Sequence, residues 1–362
     1  GDAPNQLETT LDANSNRILN LPAPLNPSEP ARLQDLSLTP VPLVDASVSA
    51  SVSIMKVTDF AIGDYVVCQR YYLGGELIED LAFEIQAAQA VDGYGNHTLS
   101  NGNIAKLIGS KNLTVVHFGA VGDGVTINTN SIAATVAANV SIKFPDGVFI
   151  SEAFTLSSNK HLVLTSGATI KAKEGFMTTG NGSMLIDIAA GVENVSITGG
   201  TIDGNLSAAD LAAWPNSVGN NASPFTTTPY LIWVRAVDNV VFEGVNFINT
   251  ITSAIQLFTP NQRVTVNNCY FDNILGNCID GGIEQLTVTN NVVNLIGDIR
   301  GGSAAGTKGG LVVVNCKLAT IANNNIRQTT DSSIYIVSQP GGNASVTGNV
   351  IRYSGKDAIK VL

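Results

Sequence analysis

The chain has 362 residues, a formal net charge of −10 and 13% charged side chains against 44% hydrophobic ones. Gly (35) and Asn (36) make up about a fifth of it. Both tolerate left-handed backbone, so a turn-rich β protein is expected rather than a helical bundle, a coiled coil or a disordered chain. The acidic balance argues against a nucleic-acid surface, and no apolar run reaches the ~18 residues of a membrane span.

Residues 1–57 carry prolines at short intervals in LPAPLNPSEPARLQDL (21–36) and TPVPLVDASVSASVS (39–53). Such spacing keeps a chain extended and free of regular helix, as in an arm or linker. Residues 58–112 read as short strands broken by Gly and Asn turns, the pattern of a small β domain. A third region begins near residue 113. The cysteines, Cys68, Cys269, Cys278 and Cys316, have no C-x-x-C spacing, and His97, His117 and His161 lie far from the last three. Buried thiols are expected rather than a zinc site or a disulfide framework, and no metal or other cofactor is implied.

Six segments of the third region align without gaps: NVSITGGTIDG (194–204), NVVFEGVNFIN (239–249), RVTVNNCYFDN (263–273), QLTVTNNVVNL (285–295), LATIANNNIRQ (318–328) and NASVTGNVIRY (343–353). The shorter spacings match one coil of a three-sided parallel β-helix, and the two long ones imply insertions. The fourth position reads Ile197, Phe242, Val266, Val288, Ile321, Val346, and the ninth Ile202, Phe247, Phe271, Val293, Ile326, Ile351. Both columns are apolar throughout, as inward ladders must be. The sixth reads Gly199, Gly244, Asn268, Asn290, Asn323, Gly348, a turn column that wants left-handed backbone. A third strand per coil is read at 253–258, 277–282, 310–315, 332–337 and 357–362. Stacked coils share one continuous core, which accounts for high apolar content with few charges.

Parts of the chain resemble known families. ETTLDANSNRILNLPAPLNPSEPARLQDL (8–36) resembles the hinge segment of bacteriophage tail fibres and tailspikes. GDYVV…RYYLGG…FEI…VDGYGNHTLSNGNIAKLI (63–108) resembles the neck domain that joins a tailspike to the virion, with GGELIEDLA (74–82) where that family holds a GDGGGA run. VVHFGAVGDGVTINTNSIAATVAAN (115–139) resembles the entry segment of pectate-lyase-like β-helices. The resemblance implies an all-β chain: an extended virion-proximal arm (1–57), a neck β domain (58–112) and a right-handed single-stranded parallel β-helix (113–362). It also implies a homotrimeric tailspike of the virion that attaches through its N-terminal region to the phage or a tail adapter. Such a protein binds and cleaves a bacterial capsule or O-antigen at the host cell surface. The chain stops inside a strand, so either a partner subunit caps the last coil or residues beyond Leu362 are missing.

Chemistry is expected on the outward columns. One reads Asp203, Ile248, Asp272, Asn294, Arg327, Arg352; the other reads Trp233, Gln256, Asp280, Val313, Tyr335, Lys360, with Arg235 beside Trp233. The insertions, 206–230 and 297–309, fall between these columns and would wall a groove. Glycoside hydrolysis takes two carboxyls, one protonating the leaving oxygen and one activating water or attacking carbon, at about 5 Å or about 6.5–9.5 Å separation. Coils stack ~4.8 Å apart, so carboxylates one or two coils apart reach either distance. Asp272 and Asp280 flank one turn and form the preferred pair, with Asp331 as a further acid. Asp203, Asp298, Trp233, Arg235, Arg300 and Tyr335 are candidate sugar contacts.

GGTIDG (199–204) and PYLIWVRAVDNVVFEGVNFIN (229–249) resemble the polygalacturonase branch of the fold. That branch carries acids in an NTD and a GDDC motif and a later His. Here LGNCI (275–279) puts Gly276 and Asn277 where the acids would be, TDSSI (330–334) keeps Asp331, and no His follows His161. A lyase would need a base and a cation near a uronate, for which Arg235, Arg300 and Lys308 are candidates. A non-catalytic tail adhesin and a secreted bacterial carbohydrate enzyme are the remaining alternatives.

Overall fold

The computed structural model describes residues 47–108, 113–176, 184–207, 230–258, 263–294, 296 and 310–362. Strands Ser47–Ser49, Tyr65–Cys68, Ala82–Gln86, Ile104–Ile108 and Asn96–Thr98, in that order, form a five-stranded sheet. Its last four strands pair antiparallel. Val66, Cys68, Phe83 and Ile85 close a core with Val52 and Met55 from the helix Val52–Lys56. The stretch before residue 58 reads as an extended arm, yet Ser47–Lys56 enter this sheet and its core. The reason is local: the Ser51 hydroxyl accepts from the Ile54 N–H as an N-cap, and Val52 and Met55 share one helix face.

His97 sits in this core with its ring edge-on to Tyr71 and Phe83. It is 2% exposed, and its Nδ1 has no hydrogen-bond partner among the described residues. Burial, then the nearby Lys56 charge, lowers its pKa to about 4. The folded form therefore holds the imidazole neutral. Stability is full above the unfolded value of ~6.5 and falls as pH drops towards 4, by about 3 kcal/mol in all. Amide protection factors, corrected for the intrinsic pH dependence of exchange, should fall in residues 64–108 between pH 7 and pH 4.5, and His97→Asn should flatten that fall.

The rest of the described chain is a right-handed parallel β-helix, as the repeat predicts. Face A stacks Gly147–Ser151, Ala168–Ala172, Thr201–Asp203, Asn246–Thr250, Tyr270–Ile274, Val292–Val293, Asn325–Thr329 and Val350–Ser354. Face B stacks Phe154–Leu156, Met184–Ile188, Tyr230–Arg235, Ile255–Phe258 and the first halves of Ile279–Thr289, Val312–Ala322 and Ile334–Thr347, ending on Ile359–Val361. Face C runs from Ser141–Phe144 through His161–Leu164, Glu193–Thr198, Asp238–Glu243 and Arg263–Asn267 into the second halves of those long strands.

The inward ladders lie where the periodicity puts them. Ile197, Phe242, Val266, Val288 and Ile321 are fully buried, as are Ile202, Phe247, Phe271, Val293 and Ile326. Phe247 stacks on Phe271 with centroids 5.1 Å apart and planes 15° apart. The turn column has positive φ at all six positions, from +53° at Asn268 to +70° at Gly199. Directly after it, Asn291, Asn324 and Asn349 form an interior amide ladder. Asn291 donates to Asn324 Oδ1 (2.9 Å), and Asn324 donates to Asn349 Oδ1 (2.8 Å). Each amide also donates to a carbonyl of the preceding coil: Val266, Val288 and Ile321. This satisfies backbone groups that a turn would otherwise leave orphaned in the core.

Candidate functional site

Strand register aligns the positions of both columns. On face A, Asp203 pairs with Ile248 and Ile248 with Asp272. The next pairings carry the column towards Asn294, Arg327 and Arg352. On face B, Trp233, Gln256, Asp280, Val313, Tyr335 and Lys360 follow one another in register. The described ends of the two insertions, Ser207 and Tyr230, Ile296 and Gly310, lie between a face A strand and the next face B strand. Asp298, Arg300, Lys308 and most of both insertions lie outside the described residues.

Asp272 stands on Tyr270–Ile274 and Asp280 on Ile279–Thr289, either side of the corner 275–278. Each accepts a hydrogen bond from a carboxamide. Asn294 Nδ2 donates to Asp272 Oδ1 (2.9 Å), and Asn277 Nδ2 donates to Asp280 Oδ2 (3.0 Å). Asn277 is 2% exposed and is itself fixed, since its Oδ1 accepts from the Gly310 N–H at 3.2 Å. Burial pushes the Tyr270 hydroxyl pKa up, helped by the Asp272 charge and a hydrogen bond to it and opposed by Arg327. Tyr270, Asn277, Asn294 and Arg327 were not singled out as partners of the acids in the sequence. The available signal was their place in or beside the same columns.

The corner next to the pair is tight. Gly276 packs on the Thr252 backbone, where a Cβ would come within 2.7 Å of a backbone carbon. Gly281, directly after Asp280, has φ +119°, and a Cβ there would overlap the Leu257 carbonyl oxygen. Gly281→Ala should therefore cost roughly 2–4 kcal/mol, read as a lower denaturation midpoint.

The other predicted acids are held differently. Asp331 is 9% exposed at the corner two coils further on. Its Oδ1 accepts from the Ser332 N–H (2.6 Å) and its Oδ2 from Lys356 Nζ (2.7 Å). Burial raises its pKa, but the Lys356 ammonium and Ser332 outweigh that and hold the carboxyl below its ordinary value. Asp203 is 8% exposed and ends an amide ladder along the corner. Its Oδ1 accepts from the Asn205 N–H (2.8 Å) and Asn249 Nδ2 (3.0 Å), and Asn273 in turn donates to Asn249 (2.9 Å).

Trp233 and Arg235 form one cluster. The guanidinium lies 4.8 Å from the indole centroid and makes a bidentate pair with Asp187 at 3.1 and 2.6 Å. The Phe258 ring meets Trp233 edge-on at 6.1 Å and the Tyr230 ring lies 6.3 Å away. Trp233 Nε1 is buried without a partner among the described residues. Tyr335 carries Lys360 Nζ 5.3 Å from its centroid.

Elsewhere the chemistry is thin. A cleft of about 650 Å³ at the start of the β-helix is lined by Tyr72, Glu76, Glu79, His117 and Asp146, away from the paired acids. His117 is fixed there, bonded to the Thr114 N–H and the Glu79 carbonyl. All four cysteines are buried and free, and burial pushes the Cys68 and Cys269 thiols up to about 12.

Residues 134–352 match the model of glycosyl hydrolases family 28. The tailspike of Acinetobacter phage vb_AbaP_AS12 is similar in structure, with TM-score 0.54 and 11% identity over 85% of this chain and 58% of that one. So is WceF of Pantoea stewartii, a glycan biofilm modifying enzyme with a tailspike-like parallel β-helix. It has TM-score 0.51 and 13% identity, over 85% of this chain and 49% of that one. The chain thus spans about half the length of these two proteins. A family 28 exopolygalacturonase of Yersinia enterocolitica scores 0.44 at 17% identity, over 74% and 70% of the two chains. No curated protein matches the sequence. The match covers more than half of the chain and falls on the coils that carry the outward columns, so this protein belongs to glycosyl hydrolases family 28.

Proposed function

We propose that this protein cleaves a bacterial surface polysaccharide, a capsule or an O-antigen, by endo-glycosidic hydrolysis in the groove between faces A and B. The observation that carries the reading is the placement of Asp272 and Asp280 on either side of one corner, each braced by a carboxamide. In hydrolysis one carboxylic acid protonates the glycosidic oxygen as the bond to carbon breaks. The other carboxylate takes a proton from the attacking water, or attacks the carbon first and is released by water. Asn277 and Asn294 hold the two acids in one rotamer, which such transfers need. Asp331 is given an anchoring role instead, because Lys356 and Ser332 already occupy its oxygens.

The likeness to tailspikes supports placing this activity on a phage tail, with a homotrimeric assembly and attachment to the virion or an adapter through the N-terminal region. A second reading, a tail adhesin that holds sugar without cutting it, is favoured by Gly276 and Asn277 standing where the polygalacturonase branch carries acids. A lyase is less supported: Arg235, a candidate to neutralise a uronate, is engaged with Asp187.

The test is to incubate the protein with capsule and lipopolysaccharide preparations from a panel of bacterial strains. Product size, reducing ends and absorbance near ~235 nm, where an unsaturated uronate formed by elimination absorbs, are followed together. Shorter products with new reducing ends and flat absorbance are expected from one preparation. Rising absorbance would overturn hydrolysis in favour of elimination, and binding without cleavage would leave the adhesin.

A further inference from the structure

The segment Tyr71–Asp80 leaves the five-stranded sheet after Tyr65–Cys68, walls the cleft at the start of the β-helix and returns to Ala82–Gln86. Both of its ends are held by the short turn Val115–Phe118 and Gly119, which caps that turn. At the first end the Tyr72 hydroxyl donates to the Gly119 carbonyl (3.1 Å). The Tyr71 ring lies so close that a Cβ on Gly119 would come within 2.5 Å of it. At the other end the Glu79 carbonyl meets His117 Nε2 (2.9 Å). The second ring nitrogen, Nδ1, accepts from the Thr114 N–H (3.1 Å). These two bonds assign the neutral tautomer, with the hydrogen on Nε2 and the lone pair on Nδ1. A second proton can go only to Nδ1, where the Thr114 N–H already points. The Thr114 hydroxyl, 3.0 Å from that nitrogen, can accept the new hydrogen, but the Thr114 N–H then loses its acceptor. The charged ring thus loses its fit in this seat.

His117 is 7% exposed. Burial holds its pKa below the ordinary value, opposed by the Glu79 carbonyl, the Asp80 charge and Thr114. Tyr72, Glu76, Glu79 and Asp146 line the same cleft, and Lys143 stands on the strand bridged to Thr114. Behind the first end of the segment, the Tyr71 hydroxyl donates to the Tyr94 carbonyl (2.9 Å) and lies 3.4 Å from His97 Nε2, beside the charges of Lys56 and Asp92. A buried imidazole therefore stands behind each end of one segment.

We infer that Tyr71–Asp80 is an acid-released strap: with His117 neutral it clamps the five-stranded sheet to the β-helix, and protonation of His117 turns the ring out to water, frees the Glu79 end and opens the cleft. The clamp is complete above the ordinary histidine value of ~6.5 and is lost as pH falls through the lowered value of the buried ring. Sheet and β-helix then move as one body at neutral pH and separately in acid. The strap lies away from Asp272 and Asp280, so it works in the same way whether or not the protein cuts sugar.

Hydrogen exchange of the intact protein at steps from pH 7 to pH 4.5, corrected for the intrinsic pH dependence, reads the strap directly. Protection in residues 72–80 and 114–120 should fall about tenfold or more, while residues 193–203 hold theirs. His117→Gln keeps a neutral acceptor for the Thr114 N–H, as Gln does at this position of a capping box, and should reduce the fall to about twofold or less. His97→Asn, which flattens the response of the sheet itself, should leave the fall in residues 114–120 in place. Tyr72→Phe removes the bond to Gly119 and keeps both histidines, so release should move up by about half a pH unit. That variant decides the matter if His117→Gln fails to fold. Constant protection in the unaltered protein, equal falls in it and in His117→Gln, or an unmoved release in Tyr72→Phe overturns the inference.

Discussion

Replacing Asp272 or Asp280 with Asn is expected to slow polysaccharide cleavage by about 10²–10⁴-fold while leaving binding of the same polysaccharide within about threefold. Asn keeps the size of the side chain and can still meet Asn294 or Asn277, so the coil should stay folded. What it loses is the ability to give or take a proton. The double variant should be little worse than the more damaging single one, because two groups acting in one proton-transfer step fail as a unit. Asp331→Asn should behave otherwise. It breaks the pair with Lys356, lowers thermal stability modestly and leaves cleavage within about tenfold, since Asp331 lies two coils away and its oxygens are already bonded. Steady-state rates on the polymer, with binding measured separately, distinguish these outcomes. Equal losses in all three variants would point to a shared structural role.

The second large effect is on stability. Asn324→Ala should cost about 3–5 kcal/mol, read by chemical denaturation. Asn324 Oδ1 accepts from both the Asn291 N–H and Asn291 Nδ2 at 2.9 Å. Its Nδ2 donates to the Val288 carbonyl at 3.0 Å and to Asn349 at 2.8 Å. Asn324 is 1% exposed and Asn291 fully buried, so water cannot replace the lost partners. Leu at this position should do no better, because the stranded amides of Asn291 and Asn349 remain polar. A loss below about 1 kcal/mol would mean the ladder is dispensable.

Much of the β-helix was legible because its signal repeats. Phe242 or Ile326 alone says little, but the same apolar position in six aligned segments fixes an inward ladder, and register along those ladders fixes the outward columns. The turn column was legible for the same reason: Gly or Asn at all six positions marks left-handed backbone. The interior ladder of Asn291, Asn324 and Asn349 was not. Its column begins Gly200, Val245, Cys269, so half of the coils use no amide there, and Asn next to a turn residue reads as more turn. The helix Val52–Lys56 was hidden by the proline-rich stretch before it, and its Ser51 cap shows only in the fold.

The site was legible as a line of positions and not as a set of contacts. Sequence placed Asp272, Asp280, Trp233 and Tyr335 on their columns. It could not tell that Arg235 reaches back to Asp187, 48 residues earlier, or that Lys356 holds Asp331. Such pairs form between neighbouring coils, so partners close in space lie some 20–50 residues apart in the chain, and the insertions change that interval from coil to coil.

Hydrolysis at Asp272 and Asp280 requires that a water molecule supplies the oxygen of each new reducing end. The direct measurement is cleavage in water enriched in oxygen-18, with the products read by mass spectrometry. Hydrolysis predicts one heavy oxygen incorporated at each new reducing end, with incorporation lost in Asp280→Asn along with the products. Products that carry no label and end in an unsaturated sugar would contradict the account and assign the groove to elimination.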